Sequence, residues 1–227
     1  MTQLPIKPEY ILAQYSAGAD SHKQKFLLDM KSYAESLGYA ACMEQYSANC
    51  CNLVIGNVQH ARYFLTSGRA LSGLAAWLEI LRTFPENQRN KVCFLLLDGK
   101  SGALRFHKKY REEIENRLVI DLNHVGDGEH LRIYPTKKLK ENRVWLTSFY
   151  RACGYFGPRD LLVSESKRPF FLKTDSCFPY TATICALQSH KKRLRYHHSS
   201  RDTALDNTNV NILRAALTTF ICCDEVN

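Results

Sequence analysis

No uninterrupted apolar run in the 227-residue chain approaches the ~18 residues that a membrane-crossing helix needs. No segment is therefore expected to span a bilayer. The opening stretch, MTQLPIKPEY, lacks the basic-then-apolar pattern of a secretory leader, and a cytoplasmic location is the expectation. No two of the nine cysteines stand in the Cys-x-x-Cys spacing of a zinc ribbon or redox site. Odd in number and scattered (Cys42, Cys50, Cys51, Cys93, Cys153, Cys177, Cys185, Cys222, Cys223), they read as small buried hydrophobes rather than as a disulfide framework. Repeats, low-complexity tracts and evident linkers are also missing, so one domain over 1–227 is expected. Acidic residues are in short supply: 22 Asp and Glu face 31 Lys and Arg, for a net charge of +9. That balance permits attraction to nucleic acid or anionic surfaces. The densest basic run, SHKKRLRYHH at 189–198, lies in no recognised nucleic-acid motif and reads as a solvated loop.

What is present is an alternation of elements. Residues 20–37 read as a helix, with Asp20 or Ser21 as cap, Leu27, Met30, Ala34 and Leu37 at helical spacing, and Gly38 at its end. NLVIG (52–56) and ARYFLTS (61–67) read as strands, and the turn NVQH between them suggests a hairpin. LSGLAAWLEILRTF (71–84) is an amphipathic helix that Pro85 stops. KVCFLLL (91–97) has the continuous apolar character of a strand buried on both faces. A helix over roughly 102–115 follows, with Phe106, Tyr110 and Ile114 four apart. RLVIDLN, HLRIYP, RPFFLK and TATICAL read as further strands, and KLKENRVWLTSFYRAC as a helix ended by Gly154. NVNILRAALTTFICC closes the chain as a helix with Val210, Leu213, Leu217, Phe220 and Ile221 toward the core. Alternating strands and helices with apolar central strands imply an α/β fold: a three-layer α/β/α sandwich with a mixed, largely parallel central sheet. The early hairpin is expected at one edge.

Asp98-Gly99-Lys100-Ser101 follows the buried strand at 91–97 and raises the question of a phosphate loop. A Walker-type loop needs a glycine five residues before Gly-Lys, at position 94, where this chain has Phe94. The residues before Asp98 are strand core and offer no cradle of backbone N–H groups, so nucleotide binding is excluded. Position still matters, because ligands of open α/β sheets bind at strand carboxyl ends. Asp98–Ser101 and DLNHVGDGEH both lie at such ends.

In chain order, SGLAAWLEIL, VCFLLLDGKSGAL, RLVIDLNHVGDG, LKTDSCF and YHHSSRDTALDNTNVNIL resemble successive segments of the two-zinc aminopeptidases, a group that includes glutaminyl-cyclase-like proteins. The resemblance covers most of 20–222 and implies their sandwich fold. In that family His, Asp and Glu side chains hold two metals, and a further Glu takes a proton from metal-bound water. Residue by residue, the carry-over fails. The loop bearing the first His and the bridging Asp is replaced by Gly68, Arg69 and Ala70. The base Glu falls on Lys100, a Glu ligand on Ser101 and an Asp ligand on Asn123, with Asp121 two residues earlier. His198, four residues before Asp202, is the one matching ligand. A lysine ammonium repels divalent metal and is no base at neutral pH without a large pKa drop. A single His cannot hold zinc, which wants three or four ligands.

The degenerate site expected is therefore Gly68, Arg69, Lys100, Ser101, Asn123, His198 and Asp202. Zinc is the family's cofactor but is not expected here. Lys100 and Arg69 could form a small basic pocket for a carboxylate or phosphate, or be solvated cations. His198 reads as a structural histidine bonded to Asp202 or a carbonyl. Asp121 reads as a paired core carboxylate. His124, Asp127 and His130 could build a different metal site with His198, but they match no ligand spacing and read better as scattered surface polar residues. Three functions follow. The first is a catalytically inactive pseudoenzyme that binds a peptide, a small anion or a protein partner. The second is a divergent metallopeptidase or aminoacyl hydrolase/cyclase; no Gly-x-Ser-x-Gly supports a metal-free version. The third is a basic nucleic-acid-binding module, resting on charge alone.

Overall fold

A computed structural model of the chain describes residues 20–48, 50–59, 62–66, 71–125, 130–142, 161–163, 177–187 and 207–223. Eight strands form one sheet: β1 (Ala41–Ser47), β2 (Cys50–Gly56), β3 (Arg62–Thr66), β4 (Val92–Leu96), β5 (Val119–Leu122), β6 (His130–Pro135), β7 (Leu161–Val163) and β8 (Thr181–Leu187). Their spatial order is β1-β2-β4-β3-β5-β8-β6-β7. The four central strands β4, β3, β5 and β8 run parallel. β2 is antiparallel to β4, and β6 to β8, so the sheet is mixed. The helices among the described residues are α1 (Asp20–Ser36), α2 (Leu71–Thr83), α3 (Gly99–Lys109), α4 (Arg111–Ile114), α5 (Lys137–Glu141) and α6 (Asn207–Cys223), with a 3-10 helix at Glu86–Lys91.

The apolar central strands are buried because both faces are covered. Phe64, Phe94, Leu96, Ile120 and Leu122 pack with α1, α2 and α6 through Phe26, Leu27, Met30, Leu74, Leu78, Leu213 and Leu217. Their neighbours Tyr63, Leu65, Cys93, Leu95 and Val119 point the other way, onto Phe106 and Ile114 of α3 and α4. This period of two, apolar in both phases, is what a central parallel strand requires. The result is the expected α/β/α sandwich. Phe94 centres the larger core, its ring 5.2–6.0 Å from those of Tyr39, Phe64, Trp77 and Phe84. The Trp77 indole N–H donates to Phe64 O at 3.0 Å, so a fully buried donor has its partner. No helix of the described residues is long and apolar enough to cross a membrane.

Two sequence expectations are corrected. β2 and β3 do not form a hairpin, because β4 lies between them, antiparallel to one and parallel to the other. The edge hairpin is β1–β2, with Ala41 opposite Ile55. β1 has no sequence signal because it is an edge strand, half-buried or exposed along its length, with Glu44 its one buried residue. Nor is the helix after β4 continuous over 102–115. It begins at Gly99 and breaks at Tyr110 (φ −115°, ψ 35°) before α4. The helix expected at 138–153 is described only as Lys137–Glu141, and the RPFFLK strand lies outside the described residues.

Candidate functional site

The carboxyl ends of β3, β4 and β5 converge at one edge of the sheet, marked by Thr66, Leu96–Asp98 and Leu122–Asn123. After β4 the chain turns at once into α3. Gly99 makes that turn at φ 56°, in the left-handed region that glycine adopts without steric cost. Its N–H donates to Leu97 O at 2.8 Å. Lys100 and Ser101 then form the exposed first turn of the helix.

A single buried side chain holds this turn. Asn52 of β2 is fully buried. Its Oδ1 accepts the Asp98 backbone N–H at 2.9 Å, and its Nδ2 donates to Gly102 O at 3.0 Å. A Cβ on Gly102 would stand 2.3 Å from Asn52 Oδ1, so the clamp requires glycine there. Asp98 stands at the helix N-cap but does not cap with its side chain. Its carboxylate pairs instead with Lys23 of α1 at 2.5 Å. Below the turn, the buried Cys50 thiol donates weakly to Ser101 Oγ at 4.0 Å.

Just after β5, Asn123 is 8% exposed, and its Oδ1 accepts the next backbone N–H, that of His124, at 3.1 Å. Its own N–H donates to Ile184 O of β8 at 3.0 Å. Asp121 is a buried carboxylate, as expected, with Oδ2 accepting from Thr183 Oγ1 at 3.2 Å. His124 is not a surface residue: 8% exposed, it continues β5 alongside β8, and its carbonyl accepts the Ala186 N–H at 2.7 Å. Lys100 and Ser101 thus follow the end of β4 and Asn123 the end of β5, on either side of β3. Gly68, Arg69, His198 and Asp202, and with them the basic pocket of Arg69 and Lys100, lie outside the described residues. So do Asp127 and the run 189–198, and His130 is described in its backbone alone.

Among the described residues, Lys100, Ser101 and Asn123 offer an ammonium, a hydroxyl and an amide, which do not fit a dinuclear zinc centre, and the nearby Asp98 carboxylate is engaged by Lys23. Among the described residues no three His, Cys, Asp or Glu side chains form a group that could hold an ion.

Sequence reasoning missed Asn52, Lys23 and a second polar cluster. Glu44 of β1 is 7% exposed and accepts from Lys109 Nζ at 2.6 Å, Tyr46 OH at 2.5 Å and Tyr110 OH. Burial alone raises its pKa, but the bonds from Lys109, Tyr110 and Tyr46 outweigh that and hold it below the ordinary glutamate value. The available signal was a lone Asn inside the apolar strand CCNLVIG, since a polar residue in a doubly covered strand must have partners.

Neither a protein-family model nor a curated protein matches the chain in sequence. Solved structures do match in fold. A leucine aminopeptidase precursor from Bacteroides thetaiotaomicron VPI-5482 superposes with TM-score 0.61 at 11% identity, over 94% of each chain. A Bacteroides thetaiotaomicron glutaminyl cyclase bound to N-acetylhistamine gives 0.59 at 12% identity, over 94% of this chain and 95% of that one. A zinc aminopeptidase from Bacillus subtilis gives 0.55 at 15% identity over 75% of this chain, which spans 49% of that protein's length. The chain has the aminopeptidase and glutaminyl-cyclase fold; at these identities the likeness carries the architecture and not the chemistry.

Proposed function

We propose that the chain is a pseudoenzyme of the aminopeptidase fold, without metal-dependent hydrolysis. It binds a peptide, a small anion or a protein partner at the degenerate strand ends. The observation that carries this reading is the turn after β4. Where the fold's enzymes are expected to present carboxylates, this chain presents Lys100 and Ser101, and the turn itself is held by the buried Asn52. A lysine at the mouth of a strand end favours an anionic group over a cation. The ion pair of Lys23 with Asp98 neutralises the nearby carboxylate and supports the same preference.

A cytoplasmic setting accompanies the proposal. Six cysteines among the described residues are free thiols, which suits a reducing compartment. The test is turnover. Zinc-loaded protein is assayed against a panel of aminoacyl-p-nitroanilides, dipeptides and N-terminal glutaminyl peptides. No turnover above a no-protein control is the expected result. Metal-dependent turnover abolished by His198→Ala would establish a divergent hydrolase or cyclase instead.

A further inference from the structure

At the opposite end of the sheet, where the parallel strands begin, two cavities meet. One, of about 450 Å³, is lined by Glu44, Val54, Tyr110 and Glu113. The other, of about 500 Å³, is lined by Tyr39, Arg89 and Asn90. They share Ala40, Gly56 and Asn57 as a common wall. Tyr39 belongs to the core on the α1–α2 side and Tyr110 packs on the α3–α4 side, so the pair straddles the open end of the β1–β2 hairpin. Each has the size of a small-ligand pocket.

Their charges are opposite. In the first, Glu44 is already satisfied by three donors, whereas Glu113 makes no ion pair or hydrogen bond among the described residues. In the second, Arg89 has no carboxylate partner among the described residues. Its guanidinium is fixed all the same: it stacks 4.7 Å from the Tyr39 ring centroid and donates one N–H to Leu37 O. A planar group held this way keeps other N–H donors for a carboxylate without having to be ordered first. Between them, Asn57 uses Oδ1 to accept the Gln59 N–H at 2.9 Å, which leaves its amide N–H groups for a peptide carbonyl.

We infer that this double cavity binds a short zwitterionic peptide across the sheet end, its carboxylate on Arg89, its ammonium on Glu113 and its backbone over Ala40, Gly56 and Asn57. The site is separate from the degenerate strand ends and stands or falls independently of the function proposed for them.

The test is a titration of the ¹⁵N-labelled chain with trialanine, followed by amide chemical shifts. Shifts at Ala40, Gly56 and Asn57 are expected, with Lys100, Ser101 and Asn123 unmoved. N-acetyl-trialanine and trialanine amide should each bind about tenfold more weakly, the weight of one charge-assisted contact. Glu113 lies on the surface turn of α4, so Glu113→Gln leaves the fold intact and should weaken trialanine as acetylation does. Against the acetylated peptide the same substitution should have no further effect. Equal binding of free and blocked peptides, or no shift at the three shared residues at millimolar peptide, overturns the inference. Shifts confined to Lys100, Ser101 and Asn123 also overturn it, while supporting peptide binding at the strand ends.

Discussion

Removing the Asn52 side chain should loosen the turn that presents Lys100 and Ser101, and the cost can be worked out from its contacts. Asn52→Ala deletes two hydrogen bonds of 2.9 and 3.0 Å in a fully buried setting. The Asp98 N–H has no other partner in the turn and is orphaned. Gly102 O keeps its place in the helical ladder and loses less. An orphaned buried donor costs about 1–3 kcal/mol and a lost neutral bond about 1 kcal/mol. Together these give a loss of about 2–4 kcal/mol, or roughly 4–16 °C in Tm for a chain of this size.

Gly102→Ala provides the internal control. In an ordinary helix it stabilises by about 1 kcal/mol. Here the added Cβ meets Asn52 Oδ1 at 2.3 Å, so it should destabilise by about 1–3 kcal/mol. In the Asn52→Ala background that obstacle is gone, and the same substitution should be nearly neutral or stabilising. The assay is urea denaturation of the four proteins, read by circular dichroism. Additive effects, or a loss below about 0.5 kcal/mol for Asn52→Ala, would refute the clamp, because groups in direct contact must couple.

Two further outcomes are expected. Glu44 has a folded-state pKa below its ordinary 4.5 because donated bonds outweigh the burial that raises it. Its contribution is therefore fully present above pH 4.5 and lost as pH falls through the lower folded value. Glu44→Gln should cost stability at pH 7 and progressively less as pH falls below 4.5; a cost that stays constant down that range, measured by denaturant midpoints, would contradict the network. The thiols should also sort by exposure. Cys42 is exposed, whereas burial pushes the Cys51 and Cys93 thiols up in pKa and shields them. Iodoacetamide on the native protein, mapped by peptide mass spectrometry, should label Cys42 before Cys51 and Cys93, and rapid native labelling of Cys93 would show that the β4 core opens.

The sequence was legible wherever one element's own residues decide its fate. KVCFLLL, TATICAL and NVNILRAALTTFICC fold as read because burial on both faces, or along one stripe, is written in their composition. β1 was not legible, since an edge strand carries polar residues on its open side and lacks alternation. The pairing of β2 was misread because adjacency along the chain suggests a hairpin, whereas β4 is placed between β2 and β3 by packing from afar. At the site, the order of motifs located Lys100, Ser101 and Asn123 on strand ends. What holds them was invisible: Asn52 and Lys23 reach Asp98 from 46 and 75 positions away, and no local pattern encodes a contact of that range. The left-handed Gly99 and the space kept by Gly102 look like an ordinary loop until the clamp is seen.

The most direct test of the central claim, a strand-end site without metal, is elemental analysis of protein purified without chelator and dialysed against excess zinc. The proposed function, with Lys100, Ser101 and Asn123 in place of anionic ligands, predicts that less than about 0.1 equivalent of zinc per chain remains. One or two tightly held equivalents, released by Asn123→Ala or His198→Ala, would contradict the account and return the chain to the active metallopeptidases.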